Sequence, residues 1–151
     1  MRSTLRSIAA VIAGFIAAGA VMTMVEAING RVFYPELAKA AEGVTDRDTI
    51  RALLAGAPVG ALLVVIAGWI LGSVAGGWVA AKLARRAPAG HAMVLAVLLT
   101  CAGIANNIML PPPLWFRFAS LIVFIPATLL GARLMGGRPN GAARSSRAQT
   151  A

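Results

Sequence analysis

Residues 57–83 read APVGALLVVIAGWILGSVAGGWVAAKL, with Lys82 as the one charged side chain. A helix rising ~1.5 Å per residue needs about 20 apolar residues to cross a hydrocarbon layer of ~30 Å, and this stretch is longer than that. It decides the fold because three more apolar runs, at 5–28, 91–110 and 114–134, leave little of the 151-residue chain for anything but a membrane domain. The pattern predicts an all-α integral membrane four-helix bundle, a single domain over 1–136. One short helical segment, 29–56, stands on the outer side between spans one and two.

Composition agrees: 59% of residues are apolar and 13% charged. Soluble domains average ~45–50% apolar and ~25% charged, so a water-soluble core is excluded. A net charge of +9 would suggest nucleic acid in a soluble chain. Here the charges sort by side instead. With the N-terminus cytoplasmic, Arg2, Arg6, Lys82, Arg85, Arg86, Arg133, Arg138, Arg144 and Arg147 face the cytoplasm, leaving Arg31, Lys39, Arg47, Arg51 and Arg117 outside. Basic residues near span ends set orientation, so both termini are expected in the cytoplasm of a multi-pass bacterial inner-membrane protein. The expected partners are the lipid bilayer and another membrane protein or a second copy of the chain, with no nucleic acid. The basic stretch 137–151 reads as a disordered cytoplasmic tail. The first run passes Ala18-Gly19-Ala20, an A-x-A cleavage pattern, but continues through Val21, Met22, Met24 and Val25, so it reads as a retained span rather than a signal peptide.

The spans are rich in small residues. Gly56, Gly60, Gly68, Gly72, Gly76, Ala80 and Ala84 recur every four residues with one gap at Val64. Glycine costs a helix roughly 1 kcal/mol relative to alanine, and close helix packing is the benefit that offsets it. Gly60, Gly68, Gly72 and Gly76 are therefore expected at a helix-packing face, against another span or another copy. Ala10, Gly14 and Ala18 continue through Met22 to Glu26 on one face of span one.

In that row Glu26 is the notable member, because a carboxylate facing lipid is very unfavourable. The alternating topology brings Asn106, Asn107 and Arg117 to the same outer layer. A cluster of these four is expected, with a Glu26–Arg117 ion pair fixing the rotation of three helices. Pro111-Pro112-Pro113 should end span three, and Pro126 should kink span four. In the outer segment, Pro35 opens a short helix stopped at Gly43, and Thr45-Asp46-Arg47-Asp48 reads as a capping box ahead of a second. Phe33, Tyr34, Trp115 and Phe116 fit interfacial anchors.

Catalysis finds little support. Gly14 to Gly19 has the glycine spacing of a phosphate-binding loop but lacks its Lys and Ser or Thr. The lone His91 and lone Cys101 cannot make a zinc site, and Ser73 and Ser120 have no evident base, so neither metal nor cofactor is expected. Cys101 reads as a small packing residue and His91 as an interface residue.

Four short segments carry a resemblance: Gly76-Gly77-Trp78-Val79-Ala80-Ala81, Gly103-Ile104-Ala105-Asn106, Pro113-Leu114-Trp115-Phe116 and the stretch from Pro126 to Gly131-Ala132-Arg133. Through them the chain, over about 5–136, resembles a group of small bacterial four-span inner-membrane proteins of unassigned function. The resemblance implies a four-helix membrane fold and no activity. Small multidrug transporters offer an analogy, with four short spans and an acid in the first, although Glu26 lies nearer its helix end and the outer segment is foreign to them. The favoured expectation is a non-enzymatic accessory, scaffold or self-associating module. The alternative is a small proton- or cation-coupled transporter or channel using Glu26.

Overall fold

The computed structural model describes residues 2–84 and 87–136. Arg85, Arg86 and the basic tail lie outside the described residues. The elements are α1 (Arg2–Ile28), a π-helical turn (Asn29–Phe33), α2 (Pro35–Ala41), α3 (Arg47–Gly56), α4 (Val59–Leu83), α5 (Pro88–Met109) and α6 (Leu114–Gly136). Four of these helices are long and apolar enough to span a bilayer, the first running through the π turn to Phe33, so the chain is an all-α, multi-pass membrane protein.

At the centre stands α4, in contact with all three other spans, most extensively with α1 and α6. The glycine row explains half of this. A Cβ on Gly76 would lie 2.6 Å from the Gly14 carbonyl oxygen, and one on Gly72 would lie 2.7 Å from that of Ala18. Gly68 receives Val25 in the same way. Backbones this close gain dispersion and Cα–H···O contacts that any side chain would prevent. The other half uses glycines that lie off the row: Gly77 of α4 meets the Thr128 backbone, and Gly131 of α6 meets the Val74 carbonyl. Packing on two faces, ~100° apart at Gly76 and Gly77, makes α4 the shared wall of two helix pairs.

Two members of the row do something else. Gly56 closes α3, outside the span, and a Cβ there would meet nothing. Gly60 lies under the Tyr34 phenol, so it seats the chain leaving the π turn rather than a neighbouring span. Tyr34 accordingly covers the start of α4. Of the two partners expected for the stripe, another span or another copy, Gly68, Gly72 and Gly76 meet the first, α1.

Span one is longer than its apolar run. The Tyr34 amide donates to the Asn29 carbonyl at 2.8 Å, the wider i+5 spacing of a π turn, and this carries helical backbone five residues past Ile28. Glu26 therefore sits seven residues inside the helix end at Phe33, roughly 10 Å along the axis, deeper than its place in the apolar run suggested. Asn29, buried in that turn, donates from Nδ2 to the Ala61 carbonyl at 3.0 Å and pins the turn to α4.

The remaining boundaries follow local chemistry. The three prolines separate α5 from α6, and the Pro113 carbonyl accepts from the amides of Phe116 and Arg117 as α6 begins. Helix α6 runs through Pro126. Gly43, at φ +73°, terminates α2 in the left-handed region. The cap of α3 is shifted by one residue from the expected box: Asp46, rather than Thr45, is the N-cap, and its Oδ2 accepts from the Thr49 amide at 2.8 Å. Cys101 is exposed on the lipid-facing side of α5 instead of packing between helices.

Gly76→Ala should force α1 away from α4 and destabilise the bundle by roughly 1–3 kcal/mol, the usual cost of overpacking. Gly56→Ala should not, having nothing to displace. Thermal unfolding of both variants in the same detergent checks the contrast; equal melting temperatures would refute the α1–α4 contact as described.

Candidate functional site

Trp69 organises the half of the bundle that carries α2 and α3. It is nearly fully buried, stacks on Phe124 at 5.3 Å between ring centroids with a 24° interplanar angle, and meets Phe116 edge-on at 5.7 Å. Two α6 rings one face apart thus hold the indole flat against that helix. Its polar edge points the other way, and Nε1 donates to Oε1 of Glu26 at 3.0 Å. A tryptophan N–H away from water needs an acceptor, and a carboxylate supplies a strong one.

The Glu26–Arg117 ion pair does not form. Among the described residues the salt bridge present is Lys39–Glu36, on the surface of α2. The reason is rotational. Phe116 is the residue of α6 that faces Trp69, and its neighbour Arg117 is turned ~100° around the helix. Arg117 bonds back through Nε to the Pro112 carbonyl at 3.1 Å, where the proline corner leaves an acceptor free. The four residues expected to cluster divide into two groups. Asn107, buried, donates to Ser120 Oγ at 3.3 Å, and Ser120 in turn donates to the Arg117 carbonyl at 3.0 Å, a polar seam between α5 and α6. Glu26 and Asn106 instead face cavities.

One cavity, ≈ 400 Å³, is a chamber between the ends of the spans and the α2–α3 segment. Its walls are mostly apolar, with Leu62, Val65, Trp69 and Phe116 below and Leu37, Ile50 and Leu53 above. Glu26, Asn29, Tyr34 and Asn106 are the polar side chains on its lining. A second cavity of ≈ 250 Å³ lies between α1 and α5, lined among others by Phe15, Met22, Thr23, Leu99 and Ala102, with Phe124 behind. Glu26, Trp69 and Asn106 border both. The carboxylate is thus held by one oxygen and accessible at the junction of two spaces.

The roof is fastened to α5 through Arg47. Arg47, the first residue of α3, donates from Nη2 to the Ile108 carbonyl at 2.6 Å. That carbonyl belongs to the last turn of α5, where no amide follows to receive it. The start of α3 is fixed by Asp46, whose carboxyl is held below the ordinary aspartate range because the Thr49 hydroxyl, at 2.6 Å, and the Thr49 amide both donate to it.

Buried polar atoms add detail. Asn29 Oδ1, Asn107 Oδ1 and Ser73 Oγ have no hydrogen-bond partner among the described residues. At the opposite end of the bundle, Lys82 lies over the exposed Trp78 ring at 4.5 Å, an interfacial cation–π pair.

Sequence reasoning missed Trp69, Asn29 and Arg47. Trp69 was legible in principle: tryptophan favours membrane interfaces, and one placed ten residues into a span asks for a buried partner. Asn29 follows Glu26 by three residues, on the same helix face. Arg47 carried no local signal, since its acceptor lies 61 residues away.

No protein-family model, curated protein or solved structure matches the chain.

Trp69→Phe keeps the ring stack and removes the donor, so it should destabilise the protein by roughly 1–3 kcal/mol, the cost of stripping a partner from a charged acceptor. A double-mutant cycle with Glu26→Ala should show positive coupling between the two positions; additivity would mean that the bond contributes nothing.

The Asp46 cap should resist acid. A carboxylate with a lowered folded-state pKa stabilises above its ordinary range and loses that contribution only as pH falls through the lower value. Protection of the Thr49 amide against hydrogen exchange, measured relative to an unstructured peptide at the same pH, should persist into the acid range in the wild type and be lost at all pH values in Asp46→Ala.

Proposed function

We propose that the chain is a small non-enzymatic protein of the bacterial inner membrane, with both termini cytoplasmic, that binds a proton or a cation at Glu26 in the course of transport. This is the second of the two functions expected from the sequence. It is favoured by one observation: the Glu26 carboxylate stands at the junction of two cavities without a basic partner, oriented by Trp69 through a single oxygen. Glu26 is exposed at the edge of these spaces and has no basic partner among the described residues, and an ionisable side chain so placed at membrane depth is a functional group by default. The outer chamber supports the same reading, since its ≈ 400 Å³ falls within the range of small-ligand sites, ~300–1,000 Å³.

The accessory or self-associating reading rested on the glycine stripe. With Gly68, Gly72 and Gly76 against α1, a partner would have to use another face. Orientation is supported by charge: Lys82 and Arg133 lie at the end of the bundle where α4 and α6 finish, and in the sequence Arg85 and Arg86 follow Lys82, with Arg138, Arg144 and Arg147 following Arg133.

Glu26→Gln separates the two. Glutamine keeps an acceptor for Trp69 and removes the charge. The full chain in liposomes, under imposed gradients of protons, sodium, potassium and alkylammonium ions, should move at least one cation, with transport falling to the empty-liposome level in Glu26→Gln while its melting temperature is unchanged. Persisting flux in the variant, or none in the wild type, would defeat the proposal. A variant that loses the bundle together with its activity would return Glu26 to a structural role.

A further inference from the structure

The two cavities differ in what they adjoin, and that difference points to a ligand class. Near the inner half of the bundle α5 touches the α1–α4 contact, where Leu95 lies against Gly14 and Gly76. Toward the outer side the two helices separate, and the ≈ 250 Å³ space occupies the resulting wedge. Phe15, Thr23 and Ala102 on its walls are exposed, on surfaces that face lipid in a spanning bundle. A path from the bilayer into the roofed chamber would therefore pass Glu26, Trp69 and Asn106, the walls that the two spaces share.

The chemistry along that path selects its traveller. Glu26 is the one carboxylate on either lining, so the site balances a single positive charge. A bare divalent ion needs six or more oxygen ligands. No group of three acidic, histidine or cysteine side chains among the described residues is placed to supply them. A small hydrated cation would give up its water against Leu62, Val65 and Phe116. An alkylammonium loses far less. Its head can meet the free Glu26 oxygen and the Asn106 amide, with aromatic faces beside it, and its hydrocarbon body fits apolar walls.

Resting on the preceding reading of Glu26, we propose that the ligand is a small amphiphilic amine taken from the outer half of the bilayer through the α1–α5 wedge. Its ammonium sits against the Glu26 carboxylate and its apolar body in the chamber beneath α2 and α3. The alkyl chain exchanges one apolar environment for another, so charge provides the selectivity.

Radiolabelled octylammonium binding to the full chain in phosphatidylcholine nanodiscs tests this, with empty nanodiscs subtracted. Saturable binding is expected, weaker by roughly tenfold or more in Glu26→Gln, as loss of a charged hydrogen bond requires. Ala102→Trp, which fills the wedge from an exposed position, should also weaken it; Thr23→Trp blocks from the opposite wall should Ala102→Trp fail to assemble. Excess 1-octanol, chain without charge, and ethylammonium, charge without chain, should not displace the probe. If ethylammonium competes equally and neither tryptophan variant matters, the cation site stands and the amphiphile proposal falls. If 1-octanol competes equally and Glu26→Gln binds as well as wild type, or if nothing binds saturably, the amphiphile proposal falls, while the proton or inorganic-cation reading of Glu26 is decided separately by the flux measurement.

Discussion

Everything in this bundle depends on how closely α1 approaches α4. The Gly14 and Gly76 backbones meet without intervening side chains, and Ala18, fully buried, continues the contact toward Gly72. In lipid there is no hydrophobic drive to bring apolar helices together, so contact distance itself sets the strength of association. Because the approach is so close, the relative rotation and register of the two helices are narrowly defined. Met22 must fall on Gly72 and Val25 on Gly68, and the next side chain, Glu26, is delivered to Trp69.

The second face of α4 extends this precision to α6. Gly77 and Gly131 bring those backbones together toward the Leu83 end of α4, while Trp69, Phe116 and Phe124 fill the space between them toward the end that carries α2 and α3. The bundle is tight where glycine faces backbone and filled by rings where it widens. Helix α5 closes against α6 and α4 but only thinly against α1, and cavity space remains where that contact is missing. The π turn and Asn29 then bend the exit of α1 across the top of α4, so that α2 and α3 roof the remaining volume. A polar site thus arises as the residue of packing: Glu26 and Asn106 face the one region that neither glycine contacts nor aromatic rings occupy.

Several features were legible from residues alone. Span number followed from length against bilayer thickness, the proline corner from absent amide donors, and the Gly43 stop from the left-handed backbone it allows. Glu26 was recognisable because a carboxylate among apolar neighbours violates transfer energetics wherever it points. The Arg117 pairing was not legible: depth and helix face are set by sequence to within a turn, but which of two adjacent residues, Phe116 or Arg117, looks inward depends on how α6 is rotated against α4. A cap one residue away from the expected Thr45, and a span five residues longer than its apolar run, show the same limit at helix ends, where competing hydrogen bonds differ little in energy.

Sequence by itself determined that the chain crosses a membrane four times, that a row of small residues serves packing, and that one acid lies among apolar spans. Those are properties of single helices, fixed by transfer free energy, hydrogen-bonding capacity and 3.6-residue periodicity. Only tertiary structure decided that the row is covered by α1, that Trp69 rather than Arg117 holds Glu26, and that the carboxylate borders two cavities. Those depend on the rotation and separation of helices far apart in the chain, which are settled when all side chains pack together.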